Sequence, residues 1–338
     1  MKKETIAKGV ATALLGAALF FAGPLSRADA QTPGLLRISN QLPASAAVTR
    51  GLELWKQKVE AGTGHKLKIE IYNNSQLYKD SEVFPAVQNH SVDMGLVISA
   101  QFAAYDPVFS IFDLPGLIQS YDQVKAALKG ELGKVLTKHL HALGVHPLYW
   151  PQQGFSAVAT TKVALNTPKD FKRLKLRAHS KELARMFQLL GASPTVIASS
   201  EVTTAASRGT IDGFSTSLSS YRSRKWFENA PYINHSGFGV IGAVIIINKD
   251  LWDKMPADQK AVIEAASKEA ETFSTDTVIS EEGAILKELA DKGVKANVFD
   301  HAAMESFVKL TAPMRKEYVN AAGKDGKALV DYIQTLKH

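Results

Sequence analysis

The sequence contains no cysteine among its 338 residues. This absence excludes disulfide bonds, cysteine nucleophiles and thiolate metal sites together. The chain also lacks a phosphate-binding glycine loop, a Rossmann fingerprint and a serine between two glycines, so the common nucleotide-binding and hydrolase motifs are missing. Dense basic runs are absent too, and we expect no nucleic-acid partner. Nothing in the sequence calls for a cofactor.

A histidine metal site is also not supported. His139 and His141 lie two residues apart in a predicted helix and point to nearly opposite faces, so they cannot chelate one ion together. His146 belongs to a different predicted element. We therefore interpret these histidines as solvated side chains.

Residues 1–30 have the pattern of a signal peptide. Three lysines precede an apolar run over residues 10–21, and small residues precede a cleavage site predicted after Ala30. The alternative is a membrane anchor, but the run is short for a bilayer span and a Gly-Pro pair follows it. No later apolar run approaches spanning length. We predict an exported, periplasmic protein.

The remaining charge is mildly basic. The leader holds four basic and two acidic residues, and removing them from 40 and 33 leaves 36 and 31, a net charge of +5. Such an excess modestly favours anionic ligands over cationic ones. About 308 residues without disulfides must be stabilised by their cores, and this length suggests two lobes.

Alternating β and α patterns predict an α/β fold with parallel strands. Predicted strands cover 35–39, 66–72, 92–98, 145–150, 155–161, 174–178, 193–197 and 210–214. Predicted helices cover 48–59, 80–89, 121–142 and much of 301–336. The apolar stretches 155–161 and 239–247 are able to cross between two sheets. Residues 257–291 contain no proline and one glycine, which predicts one helix of roughly 52 Å or, alternatively, two kinked helices.

Arg177 is the main candidate binding residue. It follows Leu176 near the end of the predicted strand 174–178, where a guanidinium can clamp a carboxylate through two parallel hydrogen bonds. On the strand alone, a solvated arginine on an edge strand is the simpler interpretation. The motifs around this strand favour a carboxylate-binding role for Arg177.

A series of short motifs resembles the solute receptors of TRAP transporters, which are tripartite, ATP-independent periplasmic uptake systems for organic acids. The motifs, in order, are Ser75-Gln76-Leu77, Ser91-Val92-Asp93-Met94, Asp113-Leu114-Pro115-Gly116, Asn166-Thr167-Pro168-Lys169-Asp170-Phe171, Leu174-Lys175-Leu176-Arg177, Leu190-Gly191-Ala192-Ser193-Pro194 and Arg208-Gly209-Thr210-Ile211-Asp212-Gly213. Each is weak alone, but their order is specific and covers essentially the whole mature chain.

The resemblance implies a two-lobed periplasmic binding protein with a central cleft and a long helix spanning both lobes. We assign 31–153 and about 242–275 to lobe I, and 154–241 and about 276–338 to lobe II. It also implies that a ligand closes the cleft and that the closed, monomeric receptor docks on a TRAP permease driven by an ion gradient. Such a receptor performs no chemistry.

The resemblance further implies the binding residues. Arg177 falls at the carboxylate-binding arginine of the family, and Asn40 and Ser99 fall at ligand-contact positions. Where related receptors often have charged, amide or aromatic groups, this chain has short uncharged side chains. These are Ser156, Ser199, Ser215 and Thr216.

This loss of polar anchors argues against a dicarboxylate or a sugar acid. It predicts a monocarboxylate, with an aromatic body if Trp150 stacks on it rather than packing in the core. Arg222 or Arg224 could supply a second cation and reverse this preference. Two other functions remain open: an exported α/β enzyme such as a hydrolase, and a protein that presents its ligand to a sensor kinase.

Overall fold

The computed structural model describes residues 34–336, so the predicted signal peptide and its cleavage site lie outside the described residues. The described chain is an α/β protein with two six-stranded sheets, each covered by helices. This confirms the predicted fold class. We call the part built on the first sheet lobe 1 and the part built on the second sheet lobe 2.

The sheet of lobe 1 has the strand order β2-β1-β3-β11-β4, and β5 pairs with β11. Strands β1, β2 and β3 are parallel, whereas β11 runs antiparallel to its neighbours. All nine residues of β11 are buried, as expected for a continuous apolar run at the centre of a sheet. The strands are β1 (Leu35–Ser39), β2 (Lys68–Tyr72), β3 (Met94–Ile98), β4 (Val145–Tyr149), β5 (Gln152–Phe155) and β11 (Val240–Asn248).

The sheet of lobe 2 has the order β12-β10-β6-β9-β7-β8. Strand β7, which carries Arg177, lies between β9 and β8 and is parallel to both. It is therefore not an edge strand. The strands are β6 (Ala157–Thr160), β7 (Lys175–Ala178), β8 (Ser193–Val196), β9 (Gly213–Thr216), β10 (Tyr232–Asn234) and β12 (Lys295–Asn297).

Eleven α-helices in the described residues cover the sheets. They are α1 (Ala47–Gly62), α2 (Val83–Gln88), α3 (Tyr121–Lys129), α4 (Glu131–Ala142), α5 (Lys181–Leu189), α6 (Val202–Ser207), α7 (Leu218–Ser223), α8 (Lys249–Lys254), α9 (Ala257–Asp291), α10 (His301–Thr311) and α11 (Pro313–Thr335). Short 3-10 helices include Ser99–Ala104, Pro107–Asp113 and Ser199–Glu201. No described helix is both long and apolar enough to cross a membrane.

Two chain segments cross directly between the sheets. One runs from β5 to β6, within the predicted stretch 155–161, and the other from β10 to β11. The predicted stretch 239–247 does not itself cross, because it forms β11 in the sheet of lobe 1. The two crossing segments are hydrogen-bonded to each other, because Ser156 N donates to Gly239 O and Phe238 N donates to Ser156 O. We call these two crossing segments the hinge.

Helix α9 is one continuous helix of 35 residues that packs on both lobes. In lobe 1, Trp55 Nε1 on α1 donates to Ser267 Oγ at 3.1 Å. Gly51 lets α1 approach closely, since a Cβ there would fall 1.8 Å from Ser274 Oγ. Ser274 donates to the Ala270 carbonyl within α9, so the predicted weak point does not break the helix. The alternative of two kinked helices is wrong.

Three predicted elements differ in the structure. The predicted helix 121–142 is two helices, because Gly130 has non-helical torsion angles (φ −104°, ψ −134°). The predicted strand 155–161 is split between β5 and β6, and the strand predicted over 210–214 is β9, shifted toward its carboxyl end. Polar residues around Asp212 form the turn before β9. The pattern of apolar residues does not show where this turn ends and the strand begins.

The predicted division of the chain stays a proposal, with one revision. Helix α11, which we assigned to lobe II, packs on α4 and on the 3-10 helix 107–113 of lobe 1. Gln123 Nε2 donates to Ile333 O, and Tyr318 OH donates to Val108 O. The cut at 153/154 also falls inside β5. We therefore propose that residues 152–155 and 313–335 belong to lobe 1.

Candidate functional site

The carboxyl ends of β7 and β9 in lobe 2 face lobe 1 across a small cavity. In open α/β sheets, ligands bind in crevices outside the carboxyl ends of parallel strands. The cavity has a volume of about 40 Å³ and lies between the lobes. Its lining residues are Gln41, Leu42, Asp80, Ile98, Gln153, Arg177, His179, Ser199, Ser215, Thr216, Ser217, Ser220, Arg224, Trp226 and Ile241.

Arg177 is buried at 3 % exposure and lines this cavity. Its Nε donates to Ile197 O at 2.9 Å, and its Nη1 donates to Ser215 O at 3.3 Å. These bonds fix the plane of the guanidinium. A guanidinium has five N–H donors, so three have no hydrogen-bond acceptor among residues 34–336. This geometry suits a planar anion.

Arg224 is a second cation in the cavity. It follows α7, and its Nη2 donates to Gln41 O at 2.7 Å and to Ser199 Oγ at 3.3 Å. Its guanidinium also stacks 5.1 Å from the Trp226 ring. Arg224 is thus in the position of the second cation that the sequence analysis considered. Arg222, the other arginine considered as a second cation, instead pairs with Glu281 on α9.

Asp80 brings one carboxylate into the cavity from lobe 1. It is buried, and its Oδ2 accepts a hydrogen bond from Ser199 N at 3.1 Å. The same oxygen lies 3.8 Å from Arg177 Nη2. Together with the Arg224 bond to Gln41, these contacts join the two lobes across the cavity.

Burial shapes the protonation of both arginines. It lowers the pKa of Arg177 to about 10, although the Asp80 and Glu201 carboxylates act in the opposite direction. Burial also lowers the pKa of Arg224 to about 10, with Asp80 raising it and Arg177 lowering it further. Both side chains therefore stay charged at neutral pH.

Several buried polar atoms at the cavity lack a hydrogen-bond partner among the described residues. Gln41 Nε2, Gln153 Nε2 and His179 Nε2 all belong to lining residues. An unpaired buried polar group costs about 1–3 kcal/mol. Such groups are expected where a ligand supplies the missing partner, so the cavity suits a ligand with oxygen acceptors.

The structure brings together four of the eight predicted site residues. Arg177, Ser199, Ser215 and Thr216 line the cavity. Asn40 does not, because its amide nitrogen donates to Thr49 and Asn73 while its oxygen accepts from Leu42 N. That network uses both ends of the Asn40 side chain to hold the loop after β1.

The other three predicted residues lie outside the lining. Trp150 packs in a hydrophobic core, and its backbone N–H donates to Glu271. Ser99 and Ser156 are buried, and neither hydroxyl has a partner among the described residues. Ser99 adjoins the lining residue Ile98, and Ser156 lies in the hinge.

Sequence reasoning missed Gln41, Asp80, Gln153 and His179. Asp80 lies just before a short helix, and an acidic residue at such a position is usually interpreted as a helix cap or a turn residue. Gln41 is adjacent to the predicted Asn40, so a one-residue shift separates the expected and observed positions. His179 comes two residues after Arg177. Its position just beyond the end of the same strand could have indicated that it belongs to the site.

A larger cavity of about 480 Å³ lies at the hinge, lined among others by Phe155, Gly237 and Glu282. Its lining contains no arginine or lysine, and Glu282 accepts a hydrogen bond from Tyr121 OH. An anion would find no counter-ion there. The smaller cavity is therefore the better candidate for binding an acid.

Two α/β lobes that enclose a charged cavity, joined by a hinge and a shared helix, define a bilobed solute-binding receptor. The sequence profile described as "Bacterial extracellular solute-binding protein, family 7" (DctP) matches residues 38–321. The chain belongs to this family. It is thus a TRAP extracytoplasmic solute receptor for small organic acids and not an enzyme.

Individual relatives agree with this assignment. The C4-dicarboxylate-binding periplasmic protein DctP of Rhodobacter capsulatus is 30% identical over 307 residues, 88% of this chain and 90% of that protein. The DctPAm structure from Advenella mimigardefordensis, in complex with galactonate, superposes with a TM-score of 0.85 at 24% identity, covering 89% and 97% of the two chains.

A Bordetella pertussis receptor binding pyroglutamic acid, DctP6, also gives a TM-score of 0.85 at 24% identity, with 89% and 100% coverage. At 24% identity, these two receptor structures show that the fold is shared with this chain. As a family member, this protein is periplasmic, binds a small carboxylate and delivers it to a TRAP permease.

Proposed function

We propose that the protein captures a small monocarboxylate for its TRAP permease. The observation that carries the proposal is the Arg177 guanidinium, which is buried in the cavity between the lobes with three N–H donors free of acceptors among residues 34–336. A carboxylate can take two of them in parallel. A second carboxylate would have to share the cavity with Asp80.

The rest of the lining supports a small, partly apolar ligand body. Leu42, Ile98 and Ile241 line the cavity beside Trp226. A cavity of about 40 Å³ has room for a few water molecules, since one needs roughly 10–15 Å³. Trp150 does not line the cavity, and the Trp226 ring, which does, already has the Arg224 guanidinium 5.1 Å from its centroid. An aromatic ligand would have to share that ring with Arg224.

A C4-dicarboxylate is the second candidate, and Arg224 is the observation that favours it. Two arginines in one cavity could hold two carboxylates. The name of the Rhodobacter capsulatus relative records binding of a C4-dicarboxylate, and a Sulfurospirillum deleyianum receptor structure contains succinate. The DctP6 structure, by contrast, contains the monocarboxylate pyroglutamate.

A thermal-shift screen tests the proposal. Purified protein is heated with a library of monoacids and diacids, and each ligand is checked by NMR afterwards. A ligand present at 100 times its Kd stabilises the folded state by about 2.7 kcal/mol. We expect the largest increases in Tm from monoacids, with every ligand recovered unchanged. If diacids outcompete all monoacids, the C4-dicarboxylate candidate replaces this proposal.

Three further features belong to the proposal. The signal peptide is cleaved after Ala30, the mature receptor is a monomer, and the ligand is transported rather than presented to a sensor kinase. Intact mass of the exported protein tests the cleavage site, and light scattering tests the monomer. Loss of acid uptake on deletion of the permease subunits tests the transport role.

A further inference from the structure

Asp80 occupies an unusual position for an acidic residue in a site that captures acids. It comes from lobe 1, in the loop before α2, and its side chain is only 4% exposed. It faces the arginines of lobe 2 and interacts electrostatically with both. Its Oδ2 lies 3.8 Å from Arg177 Nη2, which is beyond direct hydrogen-bond distance.

The hydrogen bonds that hold Asp80 in the cavity come from lobe 2 and therefore require the lobes to be close together. Ser199 N of lobe 2 donates to Asp80 Oδ2 at 3.1 Å, and Ser199 Oγ donates to Gln41 Oε1 of lobe 1 at 3.0 Å. The carboxylate therefore lies beside the arginines when the lobes meet. Any repulsion between Asp80 and a ligand acts at closure, the step that commits the ligand.

The charged residues of the cavity lining give a net charge of +1. Arg177 and Arg224 are positive, and Asp80 is negative. His179 also lines the cavity, and its Nε2 faces Asp113 Oδ1 at 3.6 Å, so a second acid lies just behind the lining. One ligand carboxylate would bring the cavity to neutrality, whereas two would leave an uncompensated buried negative charge, which is strongly disfavoured.

We propose that Asp80 is a built-in counter-ion that restricts the ligand to a single carboxylate. This inference rests on the proposed function and explains how a cavity with two arginines selects a monoacid. Discrimination by an unfavourable charge contact against the competitor is a general route to specificity. Asp80 thus acts on the diacid, while Arg177 acts on both kinds of ligand.

The test uses pairs of ligands that differ in one charge and hardly in shape. Succinate and its monoamide succinamate form one pair, and glutarate with glutaramate forms another. Their Kd values are measured by calorimetry for four proteins: wild type, Asp80→Asn, Arg224→Gln and the double variant. Asp331→Asn is the matched control, because it makes the same change at an exposed ion pair with Lys327 on α11, outside the cavity lining.

We expect wild type and Asp331→Asn to bind the monoamide at least tenfold more tightly than the diacid. Asp80→Asn should reduce that preference at least tenfold. Arg224→Gln alone should weaken the monoamide at least tenfold, because the net charge falls to zero. Adding Asp80→Asn should recover most of this loss, and no purely structural role of Asp80 would produce such a rescue.

The outcomes separate this inference from the proposed function. An unchanged preference in Asp80→Asn, or no rescue in the double variant, overturns the counter-ion role even if monoacids bind the wild type well. A wild type that prefers the diacid also overturns it. If neither monoacids nor diacids bind the wild type, the proposed function itself fails. Circular dichroism confirms that each variant is folded before its Kd is used.

Discussion

Two clusters in this protein contain the same groups, two arginines and an acid, and both join the lobes. One lines the cavity and consists of Arg177, Arg224 and Asp80. The other lies on α9, where Glu281 accepts hydrogen bonds from Arg50 at 2.5 Å and from Arg222 at 2.6 Å. We call them the cavity cluster and the helix cluster.

The clusters differ in how completely their charges are paired. In the helix cluster both arginines bond directly to Glu281, and Glu288 lies 3.9 Å from Arg222. In the cavity cluster the nearest arginine and acid atoms are 3.8 Å apart. The guanidinium donors go to backbone carbonyls and the Ser199 hydroxyl, or remain free among the described residues. Directly paired charges hold the two lobes together. Buried arginines that are incompletely paired keep hydrogen-bond donors that a ligand can use.

The largest expected effect comes from Arg177→Ala. Removing one partner of a desolvated charge pair costs roughly 2–5 kcal/mol, so affinity for the best monoacid should fall at least tenfold. Arg177→Lys should recover only part of it, because an ammonium cannot reproduce the planar fork. Calorimetry measures both. Arg222→Ala, in the helix cluster, is the control, and equal losses in the two alanine variants would remove the distinction drawn here.

Closure of the lobes is the next expected effect. The contacts between Asp80 and Ser199 cross the cavity, whereas the helix cluster lies along α9, which packs on both lobes throughout. A ligand that binds the closed state preferentially shifts the population toward it. Small-angle scattering should give a smaller radius of gyration with saturating ligand. An identical radius in both conditions would indicate a rigid site.

A smaller effect is expected from Glu281→Gln. Partly exposed ion pairs contribute little each, typically about 0.2–1 kcal/mol, so losing both should lower the free energy of unfolding by about 1 kcal/mol. Ligand affinity should stay within about threefold of the wild type, since Glu281 does not line the cavity. Urea unfolding and calorimetry on the same samples separate the two quantities. A large loss of affinity with unchanged stability would reverse the assigned roles.

Much of the fold could be predicted from the sequence because local patterns determine it. The apolar run of β11 and the absence of proline in α9 are visible in the chain, and both elements form as expected. The split at Gly130 was missed because hydrophobic periodicity continues through it. The packing of α11 on lobe 1 depends on contacts such as Gln123 with Ile333, which local patterns do not record.

The candidate site was only partly predictable for the same reason. Arg177 was found because its strand and motif are continuous in sequence. Asp80, Gln41 and Arg224 meet it from three distant segments, and only the closed arrangement of the lobes brings them together. A residue such as Asp80, whose proposed role depends on repelling a wrong ligand, has no local sequence pattern.

The smallest expected effect is the pH dependence of the helix cluster. Burial raises the pKa of Glu281, but hydrogen bonds from Arg50 and Arg222 outweigh it and hold the pKa below its usual range. A carboxyl whose pKa is lower in the folded state stabilises the protein above its unfolded pKa of about 4.3, and this contribution disappears as pH falls through the folded value. The difference in Tm between wild type and Glu281→Gln should therefore be constant near neutral pH and shrink below about pH 4.3. Scanning calorimetry between about pH 7 and 3.5 measures it, and a difference that grows on acidification would show that Glu281 is not held by its two arginines.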